Sequence, residues 1–350
     1  MTSTMKAVVM HRFGGPEALE VAEVPRPVPR ADEVLIRVHA VTVNRTLDLA
    51  VRAGRYGRPI TLPHVLGADP VGEIVEIGDE VADRKVGDRV ATSPFVRAAT
   101  GSAPPVLLGV SAWGGYAEFV AVPARITHLL PAKLDFADAA VVARHAPLAL
   151  HLLETKAKVC AGETVLVMGA SGGLGSVGVQ VAKSLGATVI AGAGAPERVA
   201  RAVAAGADHG IDYRRSDLVQ NVMALTGGRG VDVVFENIGD PDLFPQALSS
   251  LARGGRLVTA GSHGGGKVML NVTELYQKQL TLYGSTGQTS GDLDRALALA
   301  ADGLLQAEIA DTFPLSSAAR AHEDLEEGRI TGKIVLLPQN IEVPPSASAP

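Results

Sequence analysis

One stretch constrains the fold more than any other. Thr164–Met168 (TVLVM) is a short, wholly apolar run, and Gly169-Ala170-Ser171-Gly172-Gly173-Leu174-Gly175 follows it directly. Helical spacing then holds over 175–185 and stops at Gly186, and a second apolar run occupies 188–191 (TVIA). Strand, glycine-rich loop, helix, strand is the context that a dinucleotide fingerprint requires. Small residues let the backbone turn tightly and approach a pyrophosphate, while the helix N-terminus offers free N–H groups and a partial positive charge. The other reading, a structural turn, explains none of this agreement. The second strand ends Ala191-Gly192-Ala193-Gly194-Ala195, with no carboxylate to hold ribose hydroxyls or repel a 2′-phosphate, and Arg198 follows. Arg pairs well with phosphate, so the balance favours NADPH over NADH; Arg198 as a solvated helix residue is the alternative.

More strands and helices extend the pattern. Apolar strands at 231–235 and 255–260 alternate with a helix at 196–205, the signature of a parallel sheet covered on both faces. The first 130 residues read differently. Segments 33–40 (EVLIRVHA), Val71–Ile77 and 117–122 alternate apolar and polar residues as half-buried strands do. Segment 134–153 is Ala/Leu-rich, with helical spacing expected to break at Pro147. After Gly287 come helices at 292–301 and 316–326, then a strand at 332–337; the tail 338–350, with four prolines, has little to bury and is expected to be disordered.

Composition narrows the function classes. The 350 residues carry 32 basic and 37 acidic side chains, net −5, where a nucleic-acid-binding protein should show a basic excess. No apolar run approaches 18 residues, so no membrane partner is expected. MTSTMKAVVMHRFGG lacks the pattern of a secretory signal, and a cytoplasmic protein is expected. The single cysteine, Cys160, excludes an internal disulfide and a multi-cysteine zinc site.

Beyond these readings, the chain resembles the medium-chain dehydrogenase/reductase superfamily, in its quinone oxidoreductase-like branch. The resemblance covers about residues 5–337 and rests on FGGPEALEVAEVPRP, LPHVLGADPVGEIVEIGDEV, KVGDRV, GGYAEF, GASGGLGSVGVQVAK, GADHGIDY, VDVVFENIG and GKIVL. It implies an α/β protein. A Rossmann doubly wound parallel sheet, 131–287, is inserted into a β-rich GroES-like catalytic domain formed by 1–130 and 288–337. The resemblance assigns Ser171, Gly172, Gly173, Leu174 and Gly175 to the pyrophosphate, and Arg198 and Tyr213 to the NADP phosphate. It runs Asn237, Gly261 and Ser262 beside the cofactor, puts Ser285 near the nicotinamide, and has Asn44 and Tyr56 line the substrate cleft. Relatives pair edge strands into homodimers; 268–270 and 280–283 are the candidate edges here.

The departures carry as much weight. Where zinc alcohol dehydrogenases of the superfamily hold catalytic zinc, this chain has Asn44-Arg45, Ala68 and Arg144, and 92–111 has no cysteine for a structural zinc. No metal is expected. Without zinc to polarise an alcohol oxygen, reduction of an already electrophilic small molecule is the feasible chemistry. Hydride adds to the β-carbon of a quinone or α,β-unsaturated carbonyl, and the developing enolate needs only hydrogen-bond donors. Tyr56, Asn44 and the cofactor ribose are the candidates; Tyr56 or water can deliver the proton, and Tyr56 as a packing aromatic is equally compatible. Arg144 either pairs with a surface acid such as Asp138 or faces the cleft, to meet an enolate or a substrate carboxylate. An NADPH-dependent quinone or enone reductase is therefore expected. The alternatives are a zinc-free carbonyl reductase and a cofactor-binding protein with little catalysis.

Overall fold

The computed structural model describes residues 3–97, 104–330 and 332–339. The chain divides into two compact units, 1–144 with 307–350, and 145–306. In chain order, the first unit opens with β1 (Thr4–Met10) and β2 (Leu19–Pro25), an antiparallel pair, then β3 (Glu33–Val43), α1 (Asp48–Arg52), β4 (Val71–Ile77) and β5 (Arg89–Thr92). A two-stranded ribbon of β6 (Phe95–Arg97) and β7 (Val106–Leu107) follows, then β8 (Phe119–Pro123), β9 (Thr127–Leu129) and α2 (Phe136–Leu150). Pro147 does not break α2. The helix runs through it and loosens into a π-helical turn, His151–Lys156. Proline removes one N–H from the i→i−4 ladder, and a wider turn is one way for a helix to absorb that loss.

The second unit alternates as its sequence demands: β10 (Thr164–Met168), α3 (Gly173–Ser184), β11 (Thr188–Ala193), α4 (Pro196–Ala204), β12 (His209–Asp212), α5 (Leu218–Leu225), β13 (Val231–Glu236), α6 (Leu243–Ser249), β14 (Leu251–Thr259), α7 (Val272–Gln277), β15 (Thr281–Gly284) and α8 (Ser290–Ala301). The strands form one parallel sheet in the order β12-β11-β10-β13-β14-β15. Val165, Leu166 and Val167 at its centre are fully buried, because a parallel sheet is covered on both faces. Segment 268–270, expected as a strand, is irregular, and Met269 is 80% exposed. β15 takes the place beside β14 that 268–270 would have needed.

The chain then returns to the first unit with β16 (Ile309–Pro314), α9 (Ala318–Glu326) and β17 (Lys333–Leu337). Here the sheet order is β16-β17-β3-β4-β5-β9, with β8 also on β3. β3 is the hub: Val34, Leu35, Ile36, Val38 and Ala40 are all fully buried. β17 runs antiparallel to β3 with Ile334 opposite Val43, so one residue further places Lys333 opposite Asn44. The unit boundary falls within α2, later than the expected cut at 130, and 288–306 go with the parallel sheet. Of the expected disordered tail, Gln339 donates to Val38 O at 3.0 Å, and 340–350 lie outside the described residues.

Candidate functional site

In the second unit, Gly169 leaves β10 at φ +63°, a left-handed conformation that favours glycine. A Cβ on Gly175 would stand 2.1 Å from Gly169 O, so only glycine lets the first turn of α3 close on the end of β10. Gly172 caps α3 in extended conformation with no side-chain hydrogen bond. The N–H groups of the first turn, Gly173, Leu174 and Gly175, therefore have no intrahelical acceptor, and Ser171 stands just before them. A pyrophosphate fits this cradle.

The cofactor residues expected further along lie at the C-terminal ends of neighbouring parallel strands, where open α/β sheets take ligands. Asn237 follows β13 and donates from Nδ2 to Met168 O at 2.6 Å, tying that loop to β10. A Cβ on Gly261 would meet Asn237 O at 2.0 Å, and Ser262 packs beside Gly239. Glu236, buried, accepts from the N–H groups of Ile238 (2.8 Å) and Gly239 (2.9 Å) and from Thr259 Oγ1 (3.2 Å), fixing the same loop. Ser285 follows β15, with its N–H on Thr259 O at 3.1 Å and its hydroxyl on Gly287 O at 3.1 Å.

At the end of β11, Tyr213 N–H donates to Ala193 O at 3.1 Å. A Cβ on Gly194 would touch Tyr213 Oη at 3.1 Å and Arg214 Nε at 3.2 Å. Burial raises the Tyr213 phenol, and both Arg214 and Arg198 are near enough to oppose that. Arg198, Tyr213 and Arg214 thus gather beside a strand end that carries no carboxylate. The sequence reading missed Arg214, although IDYRR offered it beside Tyr213.

In the first unit, Asn44 and Arg144 are brought together, on Asp69 rather than on Asp138. Asn44 follows β3, and Arg144 comes from α2. Arg144 Nε donates to Asn44 Oδ1 at 3.0 Å and lies 3.8 Å from Asp69 Oδ2. Asp69 is buried and accepts three hydrogen bonds: Thr42 N–H reaches Oδ1 at 2.8 Å, while Thr42 Oγ1 (2.5 Å) and Asn44 Nδ2 (3.2 Å) reach Oδ2. Lys333 Nζ joins Asn44 Oδ1 at 3.5 Å. Burial and the Arg144 guanidinium push the Lys333 ammonium down to about 7. Lys333 was legible only as part of the GKIVL motif.

A second buried chain runs from the same turn. Asp48 Oδ2 accepts from Asn44 N–H at 2.7 Å and Tyr116 Oη at 3.2 Å. The phenol oxygen lies 3.1 Å from His322 Nε2, and His322 Nδ1 lies 3.4 Å from Arg52 Nη1. Arg52, itself buried, donates through Nη2 to Glu326 at 2.6 Å. Only one proton arrangement satisfies the chain: His322 carries its proton on Nε2 and accepts from Arg52 on Nδ1. Burial, seconded by Arg52, pushes His322 down to about 3, which keeps the ring neutral. Burial, then Asp69, pushes the Asp48 carboxyl up to about 7, and its Oδ1 has no partner. Tyr56 stands apart from both networks, packed against the apolar core, and its hydroxyl makes no hydrogen bond among the described residues.

Ala68 is buried and offers no donor atom, and among the described residues no three His, Cys, Asp or Glu side chains are grouped to hold a metal. The residues present do not fit a catalytic zinc. No helix among the described residues is long and apolar enough to cross a membrane.

Comparisons with known proteins agree with this architecture. Residues 30–132 match the model of the alcohol dehydrogenase GroES-like domain, and residues 173–302 that of the zinc-binding dehydrogenase family. Human quinone oxidoreductase is 33% identical over 341 residues, 95% of this chain and 98% of that protein. The crystal structure of AibC superposes with a TM-score of 0.91 at 37% identity, covering 96% of both chains. An NAD-dependent alcohol dehydrogenase superposes with a TM-score of 0.85 at 35% identity, over 95% of this chain and 99% of that one. With its parallel Rossmann-like sheet, its GroES-like unit and full-length similarity to quinone oxidoreductases, the chain belongs to the medium-chain dehydrogenase/reductase superfamily of nicotinamide-dependent oxidoreductases, in the quinone oxidoreductase-like branch.

Proposed function

We propose that the protein is an NADPH-dependent reductase of quinones or α,β-unsaturated carbonyl compounds that works without zinc. The observation that carries this reading is the Asn44–Arg144 contact. Where the resemblance implies two of the zinc ligands of alcohol dehydrogenases, near Asn44-Arg45 and near Arg144, this chain has an amide bonded to a guanidinium. That pair cannot bind a metal, but it can face an oxygen that carries or gains negative charge. NADPH supplies the hydride when bound. The chain's own part is to hold the pyrophosphate on the first turn of α3, to set Arg198, Tyr213 and Arg214 around the 2′-phosphate, and to present Asn44 and Arg144 to the acceptor oxygen. Tyr56, its hydroxyl unengaged, is the protein's candidate proton donor beside water. Oxidation of NADPH with 1,4-benzoquinone and a panel of enones tests the reading. Turnover that survives chelators supports it; turnover that needs added zinc, or none with any acceptor, sinks it. The likeness to an alcohol dehydrogenase keeps C=O reduction as a second reading, decided by whether the product is the saturated ketone or the alcohol.

Cofactor preference supplies a sharper prediction. Losing a charge-assisted phosphate contact costs about 1.5 to 3 kcal/mol, or roughly ten- to a hundredfold in affinity. Arg198→Ala should weaken NADPH by that order and NADH hardly at all; equal losses for both would make Arg198 structural.

We also propose a homodimer. Among the described residues β15 ends the parallel sheet with one edge unpaired, and Met269 and Tyr276, in the chain leading to it, are 80% and 64% exposed. Symmetric pairing of two such edges would cover them. A single-chain mass by light scattering at micromolar concentration would count against it. The same reading keeps the protein in the cytoplasm, where an exposed free thiol such as Cys160 stays reduced.

A further inference from the structure

Two cations converge on one neutral oxygen in the first unit. Arg144 Nε and Lys333 Nζ lie 3.0 and 3.5 Å from Asn44 Oδ1. The orientation of that amide is imposed: its Nδ2 donates to Thr42 Oγ1 at 3.0 Å and to Asp69 Oδ2, which turns Oδ1 toward the cations. The charges around them do not balance. Among the described residues Asp69 is the one carboxylate in contact with Arg144; its three hydrogen bonds come from neutral groups, so its single negative charge offsets one of the two cations. Asp48 holds its proton up to about 7. His322 is neutral, the Tyr116 phenol is pushed well above its usual range by burial, and Arg52 is engaged by Glu326. Below about pH 7, where Lys333 is charged and Asp48 still protonated, Arg144 and Lys333 against Asp69 leave one positive charge in excess, with only 19% of the Arg144 side chain exposed and Lys333 partly buried. Such an excess is costly unless Lys333 gives up its proton or an anion accompanies it.

We propose that Arg144 and Lys333 together form a receptor for one carboxylate of the acceptor, making the preferred substrate an acidic α,β-unsaturated carbonyl compound rather than a neutral quinone. The inference rests on the reductase reading and narrows it. Arg144 makes both of its contacts through Nε, and the Nη side of the fork can take a carboxylate edge-on. Lys333 adds a compact charge from the strand beside it. The repulsion between the two cations exists before any reaction begins. A group already anionic when it binds relieves it, whereas an enolate arises only during turnover.

The receptor leaves a signature independent of catalysis. Burial and Arg144 hold the Lys333 ammonium down to about 7; an arriving carboxylate favours the charged amine and pulls it back up. Above neutrality, binding must take up a proton. Crotonate titrated calorimetrically into the protein at pH 8, in two buffers of different ionisation enthalpy, should bind with proton uptake. Lys333→Met should lose the uptake and about tenfold or more in crotonate affinity; Lys333→Arg should keep the binding and lose the uptake. In turnover, 4-oxo-2-pentenoate should exceed its methyl ester by about tenfold or more in kcat/KM. Lys333→Met should lose far more on the acid than on the ester. Crotonate bound equally well by Lys333→Met, or equal losses on acid and ester, would overturn the receptor. Crotonate binding with proton uptake but no turnover of either compound would keep the receptor and overturn the reductase.

Discussion

Arg144→Ala is expected to lower kcat/KM by about 10² to 10³ while leaving NADPH affinity unchanged, the usual consequence of removing one donor aimed at a charged or developing oxyanion. The structure shows why the fold should survive the change. Arg144 contacts Asp69 at 3.8 Å, but Asp69 keeps its three hydrogen bonds from Thr42 and Asn44 when the guanidinium goes. Asn44 Oδ1 keeps Lys333. What disappears is a charge, not the scaffold that holds it. Arg144→Lys restores charge without the planar fork and should recover part of the activity. Had Arg144 served only as a strut for α2, the same alanine would lower the melting temperature and spare kcat/KM. Measuring both quantities on Arg144→Ala therefore separates the two roles. Wild-type kinetics in a destabilised protein would remove Arg144 from the reaction and leave Asn44 and Tyr56 as the acceptor's partners.

The physics of local pattern explains what could be read from the chain and what could not. β10, the glycine-rich loop and α3 were legible because each obeys a short-range rule: a run buried on both faces, glycines where backbones meet, helical spacing afterwards. The Gly175–Gly169 approach is what the GASGGLG text encodes. Arg144 was legible as an anomaly, yet its partner was not, because Asp69 lies far off in sequence, in the segment before β4, and only the fold brings it there. Lys333 illustrates the limit more clearly. In sequence it opens an ordinary apolar strand, and its meaning comes from the β17–β3 register that sets it opposite Asn44. Pro147 misled in the other direction. The local rule says a proline ends a helix, but α2 is packed along its length, with Val141, Val142, Ala146 and Leu150 buried, and the helix keeps its course at the cost of one widened turn. Segment 268–270 reads as a strand by composition alone; pairing is a nonlocal competition, and β15 occupies that position.

Asp48→Asn should make the first unit more stable relative to wild type as the pH rises from 5 to 8, by about 2 to 3 kcal/mol. The sign follows from where the proton sits. The carboxyl has an ordinary value of 3.8 and is pushed up to about 7 in the folded chain by burial and by Asp69. Below 3.8 the folded and unfolded chains both carry the proton, and the group contributes nothing to the pH dependence. Between 3.8 and about 7 the unfolded chain has released its proton while the folded chain retains it, so stability falls with rising pH. Above 7 both are ionised and the full penalty is in force. Asparagine cannot ionise, and its carbonyl can accept from Asn44 N–H and the Tyr116 phenol as Oδ2 does. Its amide would occupy the position of the unpartnered Oδ1. Alanine differs: it leaves the Asn44 N–H and the Tyr116 hydroxyl buried without an acceptor, so Asp48→Ala should be destabilising across the range. Trp113 is the single tryptophan and lies in this unit, so its fluorescence during urea unfolding follows the relevant transition. A wild-type to Asp48→Asn difference that stays constant between pH 5 and 8 would show that Asp48 is ionised throughout. The Asp48–Tyr116–His322–Arg52 chain would then end on a buried negative charge opposed by Arg144 rather than on a stored proton.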